Sequence, residues 1–325
     1  MRHLLALALV TVACSTPAPT PVAANVSAPT PPPGAAPVRP CSSKPAEIGR
    51  LRDAQLDEIS GVVESTKNPD VLFVHNDSGD SPRLFAINRA GEILAELTLE
   101  TVPKLVDAED IAVGPGPGGA SFLYLGDTGN NFAGCGLGIP RRKAVVYRIP
   151  EPTIPSSARN LKVALREAFP IVLTFPKGAR NVEAFFVDPP SGELFIISKD
   201  PDGDSQVLVA SAAQLAGGGG PLSWLGELHF GKPPLPGSTM PTSASTTKDG
   251  RTILVRTYSS VFLFPRAPGE SVMSALRRAP QTYPSPREAQ GEAIAFVDDE
   301  TAFVTISEGI QAAVNCVSLN RTQKE

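Results

Sequence analysis

The chain has 325 residues, with 29 basic and 33 acidic side chains, a formal net charge of −4 and four cysteines. It has no basic run and little aromatic interleaving, so it lacks the electrostatic footprint of a nucleic-acid binder. After its first residues no apolar stretch approaches the roughly 18 residues that cross a bilayer.

Residues 1–13 read MRHLLALALVTVA. Arg2 and His3 give a short charged start, and Leu4 to Val10 give an apolar run. The run is too short to span a membrane and matches the core of a signal peptide. A Val-Ala pair followed by Cys14, with no acid nearby, resembles the bacterial lipobox, with Thr11 where Leu is usual. The resemblance implies cleavage before Cys14, lipidation of Cys14 and export to the bacterial envelope. Ser15, rather than Asp, favours the outer membrane. Secretion without lipid is the alternative.

Residues 14–45 are rich in Pro, Ala, Thr and Ser and hold few large apolar groups. Such a stretch does not bury enough surface to offset its ordering entropy. It is expected to be a proline-stiffened tether. Residues 46–325 are then the folded domain.

That domain repeats. Segments 56–77, 107–127, 181–200 and 290–309 each open on a Glu, run through a small apolar strand and a turn, and end in a strongly apolar strand. Segment 240–259 has the same grammar without the Glu. The positions aligned are Glu58, Glu109, Glu183, Ser243 and Glu292. Their spacings of roughly 50 to 75 residues suit propeller blades with variable loops. Two further strand-like runs follow each hairpin: 83–88 and 92–99, then 143–149 and 169–175, then 206–210 and 222–230. The next unit has 260–265, a short helix near 270–278, and a weak strand at QTYP. The expected fold is all-β, a five-bladed propeller, with six blades as the alternative if 131–175 hides another.

The fifth unit lacks its outer strand, and residues 47–53 are expected to supply it, closing the ring and removing an open edge. Cys41 then lies near the closing strand and Cys316 on that strand's neighbour, which favours this disulfide and leaves Cys135 free. Cys41–Cys135 is the alternative, and geometry decides between them. With no CxxC and no adjacent His, a zinc site is not expected.

The run DEISGVVES…VLFVHND…RLFAINRAGEILAELTL…DAEDIAVG resembles the exported SdiA-regulated and phytase-like propellers. The resemblance covers Asp57 to Asp127 best. It implies calcium binding, and in some relatives phosphate-ester hydrolysis. No residue set here maps onto a phytase active site.

Strand alternation puts the start of each first strand and the end of each second strand on one face. That rim is expected to gather Glu58, His75, Asn76, Asp110, Asn130, Asn131, Lys199, Arg256, Glu292 and Glu308 as ligand contacts. Asp77, Glu109, Asp127 and Glu183 are the candidate metal ligands, since hard calcium takes oxygen donors. His75 beside Asp77 is the one candidate base. The loops NDSGDS (76–81) and DPDGDS (200–205) read as turns, for which these residue types are preferred.

Two functions compete. One is an envelope propeller binding a small ligand or an envelope protein through its rim, with the membrane as second partner and calcium as its only cofactor. The other is a calcium-dependent hydrolase of phosphate esters or lactones. A monomer is expected.

Overall fold

A computed structural model of the protein describes residues 40–130, 141–155, 157–200, 204–231, 235 and 237–319. The expected signal peptide, Cys14, Asn131 and Cys135 lie outside the described residues.

Strand β1 (Ala46–Arg50) waits for the end of the chain. Blade one is β2 (Ile59–Glu64), β3 (Val71–Asn76), β4 (Arg83–Asn88) and β5 (Ile93–Leu99). Blade two begins with β6 (Ala108–Pro115), β7 (Ser121–Asp127) and β8 (Lys143–Pro150). The chain then returns to blade one as β9 (Leu161–Leu165), parallel to β5, before β10 (Phe169–Thr174) pairs with β8. Blade three is β11 (Val182–Val187), β12 (Leu194–Ser198), β13 (Asp204–Ala210) and, after helix α1 (Ala212–Ala216), β15 (Ser223–His229). Between α1 and β15, strand β14 (Gly219–Pro221) runs parallel to β10 of blade two. Blade four is β16 (Pro241–Thr246), β17 (Thr252–Thr257), β18 (Ser260–Pro265), helix α2 (Val272–Leu276) and β19 (Gln281–Pro284). Blade five is β20 (Gly291–Val297), β21 (Ala302–Ser307) and β22 (Ala313–Ser318), with β1 outermost.

The architecture is thus a five-bladed β-propeller, and β8 and β10 are the outer strands of blade two rather than a sixth blade. Strands β9 and β14 carry no strand signature in the sequence. Each adds a parallel fifth strand that covers the outer edge of its sheet.

Alternation along each strand builds the core. Consecutive side chains point to opposite faces, so they pack against opposite neighbouring blades. Val62, Leu72 and Val74 join the apolar layer between blades five and one, while Val63, Val71 and Phe73 join the layer between one and two. Phe185 and Val187 face blade two, and Ala184 and Phe186 face blade four. The inner strands are covered on both sides, which is why they read as unbroken apolar runs: β11 and β20 are buried at every position. Outer β15 alternates instead.

Ring closure uses both ends of the domain. Ala46 lies opposite Cys316, Ser42 bridges Val317, and Cys41 is disulfide-bonded to Cys316 with Cα atoms 5.1 Å apart.

Candidate functional site

Each inner strand carries a register shift near its start, at the same place in all five blades. The bulged residues are Ser60, Glu109, Glu183, Thr242 and Glu292. A bulge adds one unpaired residue and turns its side chain away from the ladder. The repeat is therefore aligned differently from the sequence expectation. Glu58 matches Asp107, not Glu109, and Ser243 matches Asp110. An inserted residue does not disturb the apolar pattern, so the sequence hides it.

The polar bulges link the blades. Ser60 Oγ donates to the Glu109 carbonyl at 2.6 Å, and Thr242 Oγ1 donates to the Gly291 carbonyl at 3.0 Å. The other three bulges carry carboxylates, all buried.

One residue deeper, Asp110 closes the channel. Its Oδ1 accepts from the Ile111 N–H at 2.9 Å and Ser243 Oγ at 2.9 Å. Its Oδ2 accepts from the N–H groups of Phe185 at 3.1 Å and Ala244 at 3.2 Å. Burial pushes this carboxyl well above the usual carboxylate range, and the four donors oppose that rise. Asp110 is fully buried, so it is a plug and not a rim contact.

His75 and Arg256 occupy equivalent positions opposite Gly61 and Ser243, also below the rim. Both were expected on the rim, and both are fully buried. His75 Nδ1 lies 2.8 Å from the Asn76 carbonyl, and burial lowers its pKa to about 4. A Cβ on Gly61 would sit 2.4 Å from its Nε2. The ring is thus a neutral packing element. Arg256 is ion-paired with Glu288 and donates to the Ala293 carbonyl at 2.8 Å, between blades four and five. Asn76 turns outward, donating to the Gln55 carbonyl at 2.7 Å and to Asp80 at 3.0 Å.

Above the plug lies an acidic mouth. Oxygen atoms of Asp77, Asp107 and Glu109 lie within 4.8 Å of one another. Burial, with Asp107, Glu292 and Glu58 adding negative charge, pushes Asp77 up to about 7. Burial and the neighbouring Glu183, Asp77 and Asp107 likewise raise Glu109 well above the carboxylate range. Glu308 rises to about 7 through burial and the charges of Glu292, Asp77 and Glu58.

One ammonium stands among these acids. Lys199 is ion-paired with Glu183 and donates to Tyr258 Oη at 2.7 Å, and that hydroxyl donates to Glu292 Oε1 at 2.7 Å. Burial opposes the charge on Lys199, but Glu183 and Glu292 outweigh it and hold the ammonium well above the ordinary range. Glu292 Oε2 is buried with no hydrogen-bond partner.

The expected ligand set is therefore split. Asp77 and Glu109 meet with Asp107. Glu183 belongs to the Lys199 pair. Asp127 holds the loop before β6, accepting from the N–H groups of Val106 at 3.2 Å and Asp107 at 3.0 Å and from Arg141 at 2.8 Å. Asn130 is bound on both sides, its N–H donating to Asn181 at 2.7 Å and its Oδ1 accepting from the Arg141 N–H at 3.1 Å. Asp107 and Tyr258 were missed. Only a register that includes the bulge makes Asp107 the counterpart of Glu58.

No family model matches this chain, and no curated protein matches it. Among solved structures it is similar to one described as a glucose dehydrogenase, at 10% identity and a TM-score of 0.44, covering 85% of this chain and 100% of that one.

Proposed function

We propose that the acidic mouth is a calcium-binding site on an exported propeller that recognises a ligand or partner through this rim. The observation that carries the reading is the meeting of Asp77, Asp107 and Glu109 within 4.8 Å at the channel mouth. Gathered carboxylates repel, and a hard cation relieves that cost with oxygen donors. Glu292, with one buried oxygen lacking a hydrogen bond, adds to the negative potential. When bound, calcium would supply a fixed positive centre for an anionic or carbonyl group of the ligand.

The second reading, a calcium-dependent hydrolase, draws on the Lys199–Tyr258 contact at the same mouth. Lys199, the ammonium among these acids, is already engaged by Glu183 and Tyr258, which weakens it as a group to hold a phosphate ester. Binding is therefore the preferred reading.

Export and anchoring rest on residues 1–14, and the Cys41–Cys316 bridge suits an oxidising compartment. Cell fractionation of a Cys14→Ser variant tests the anchor. Loss of membrane association supports it, and unchanged association counts against it.

Calorimetric titration and thermal melting with calcium test the mouth. The melting temperature is expected to rise with calcium, fall with a chelator, and lose its response in Asp77→Asn and Glu109→Gln. Indifference of the native protein to both reagents sinks the metal reading.

A further inference from the structure

The face opposite the mouth holds a cavity of about 240 Å³ between blades two and three. Its walls include Pro115, Gly116, Tyr124, Ala212 and Leu215, and Arg148 of β8 lines it. Three arginines are buried in the described domain: Arg89, Arg148 and Arg256. Arg89 pairs with Glu64 and Asp298, and Arg256 pairs with Glu288. Arg148 has no carboxylate partner among the described residues. Its Nη1 donates to the Leu215 carbonyl at 3.0 Å, and its Nε is buried without a partner.

This is an expensive arrangement. A buried charge needs pairing, and a guanidinium does not escape by losing its proton. The rings of Phe122 and Phe169, with centroids 5.5 and 5.7 Å from the guanidinium carbon, offset part of the cost. They supply no counter-charge.

We propose that this cavity binds a small carboxylic acid carrying a short apolar or aromatic group, with its carboxylate on Arg148. The planar guanidinium matches a carboxylate. The aliphatic wall of Ala212, Leu215 and Pro115 suits an apolar remainder. A phosphate dianion is disfavoured, because Arg148 is the one cation among the described residues lining the cavity, and a single guanidinium leaves a second buried negative charge unpaired. The volume lies below the roughly 300–1,000 Å³ of drug-sized sites, so the occupant is small. The site shares no residue with the acidic mouth and stands independently of it.

Thermal melting and calorimetry with butyrate and benzoate test the proposal, using butanol, benzyl alcohol and inorganic phosphate as controls. Both acids at millimolar concentration are expected to stabilise the native protein, and the alcohols are not. Arg148→Met is expected to weaken the acids by at least about tenfold, the loss of a charge-assisted bond. Ala216→Phe, at an exposed helix position lining the cavity, is expected to block them by filling it, and it carries the test if Arg148→Met does not fold. The proposal is overturned if neither acid binds, if the alcohols act equally, if phosphate binds more tightly, or if Ala216→Phe leaves acid binding unchanged.

Discussion

Asp110 of blade two and Ser243 of blade four meet across the centre of the ring, the hydroxyl lying 2.9 Å from the carboxylate. The same carboxylate takes a backbone N–H from blade three at 3.1 Å. One side chain thus ties three blades at their innermost point. Replacing Asp110 with Ala removes the acceptor for three backbone N–H groups. The expected cost is at least about 3 kcal/mol, given the price of unsatisfied buried donors. Urea unfolding of Asp110→Ala measures it, and a loss under about 1 kcal/mol contradicts the plug.

The layer between blades four and five contains the Arg256–Glu288 pair beside a short apolar cluster. Glu288 also accepts from Thr305 at 2.8 Å and Asn315 at 2.7 Å. Gly291 is required beside this pair, because a Cβ there would lie 1.7 Å from Arg256 Nη2. Removing one partner strands a buried charge. Arg256→Met and Glu288→Gln are each expected to lose about 3–5 kcal/mol. The double variant is expected to lose less than the sum. A double-mutant cycle checks this, and strict additivity speaks against coupling.

Acid sensitivity has an identifiable source at Glu151. Its carboxylate accepts from Ser65 Oγ at 2.5 Å, the Thr66 N–H at 2.8 Å and Ser121 Oγ, joining blades one and two. Burial raises this carboxyl, but the donors outweigh it and leave the pKa below the ordinary 4.5. A depressed pKa contributes stability above the unfolded value, and that stability is lost as pH falls through the folded one. Glu151→Gln is therefore expected to cost about 1–3 kcal/mol at neutral pH. The difference from the native protein should shrink as pH drops below 4.5. A difference constant with pH contradicts this assignment.

The disulfide spans 275 residues of chain. Its removal releases a large loop in the unfolded ensemble, so Cys41→Ala is expected to cost about 2–5 kcal/mol. Melting with and without reductant gives the comparison. A native protein whose melting is unchanged once thiol titration shows the bond fully reduced would show that β1 docks without help.

The blades were legible because their inner strands are sandwiched, and sandwiched strands are written as apolar runs such as AFFV in β11 and AIAFV in β20. The role of residues near 47–53 as closing strand followed from counting strands. The mouth was legible only as a face. Its membership turned on burial and register: His75 and Arg256, on the second strands of their blades, are fully buried, and Asp107 joins Asp77 and Glu109. Strands β9 and β14 were not legible at all, since LKVAL is largely exposed and GGP has no strand character. Their pairing is a property of the edges they cover. Nor does sequence mark Arg148 as unusual, because the lack of a carboxylate is a fact about its neighbours.

The closure of blade five by β1 sets an order of events. The first strand of the ring to be synthesised, Ala46–Arg50, finds its partner only when Ala313–Ser318 has been made. Until then blade five lacks its outer strand, and Cys41 has no Cys316 to meet. Completion of the last blade and locking of the first strand are therefore one event. A chain truncated before β22 leaves β1 unpaired and exposed as an open edge, so the latch works as a test of whether the whole ring is present.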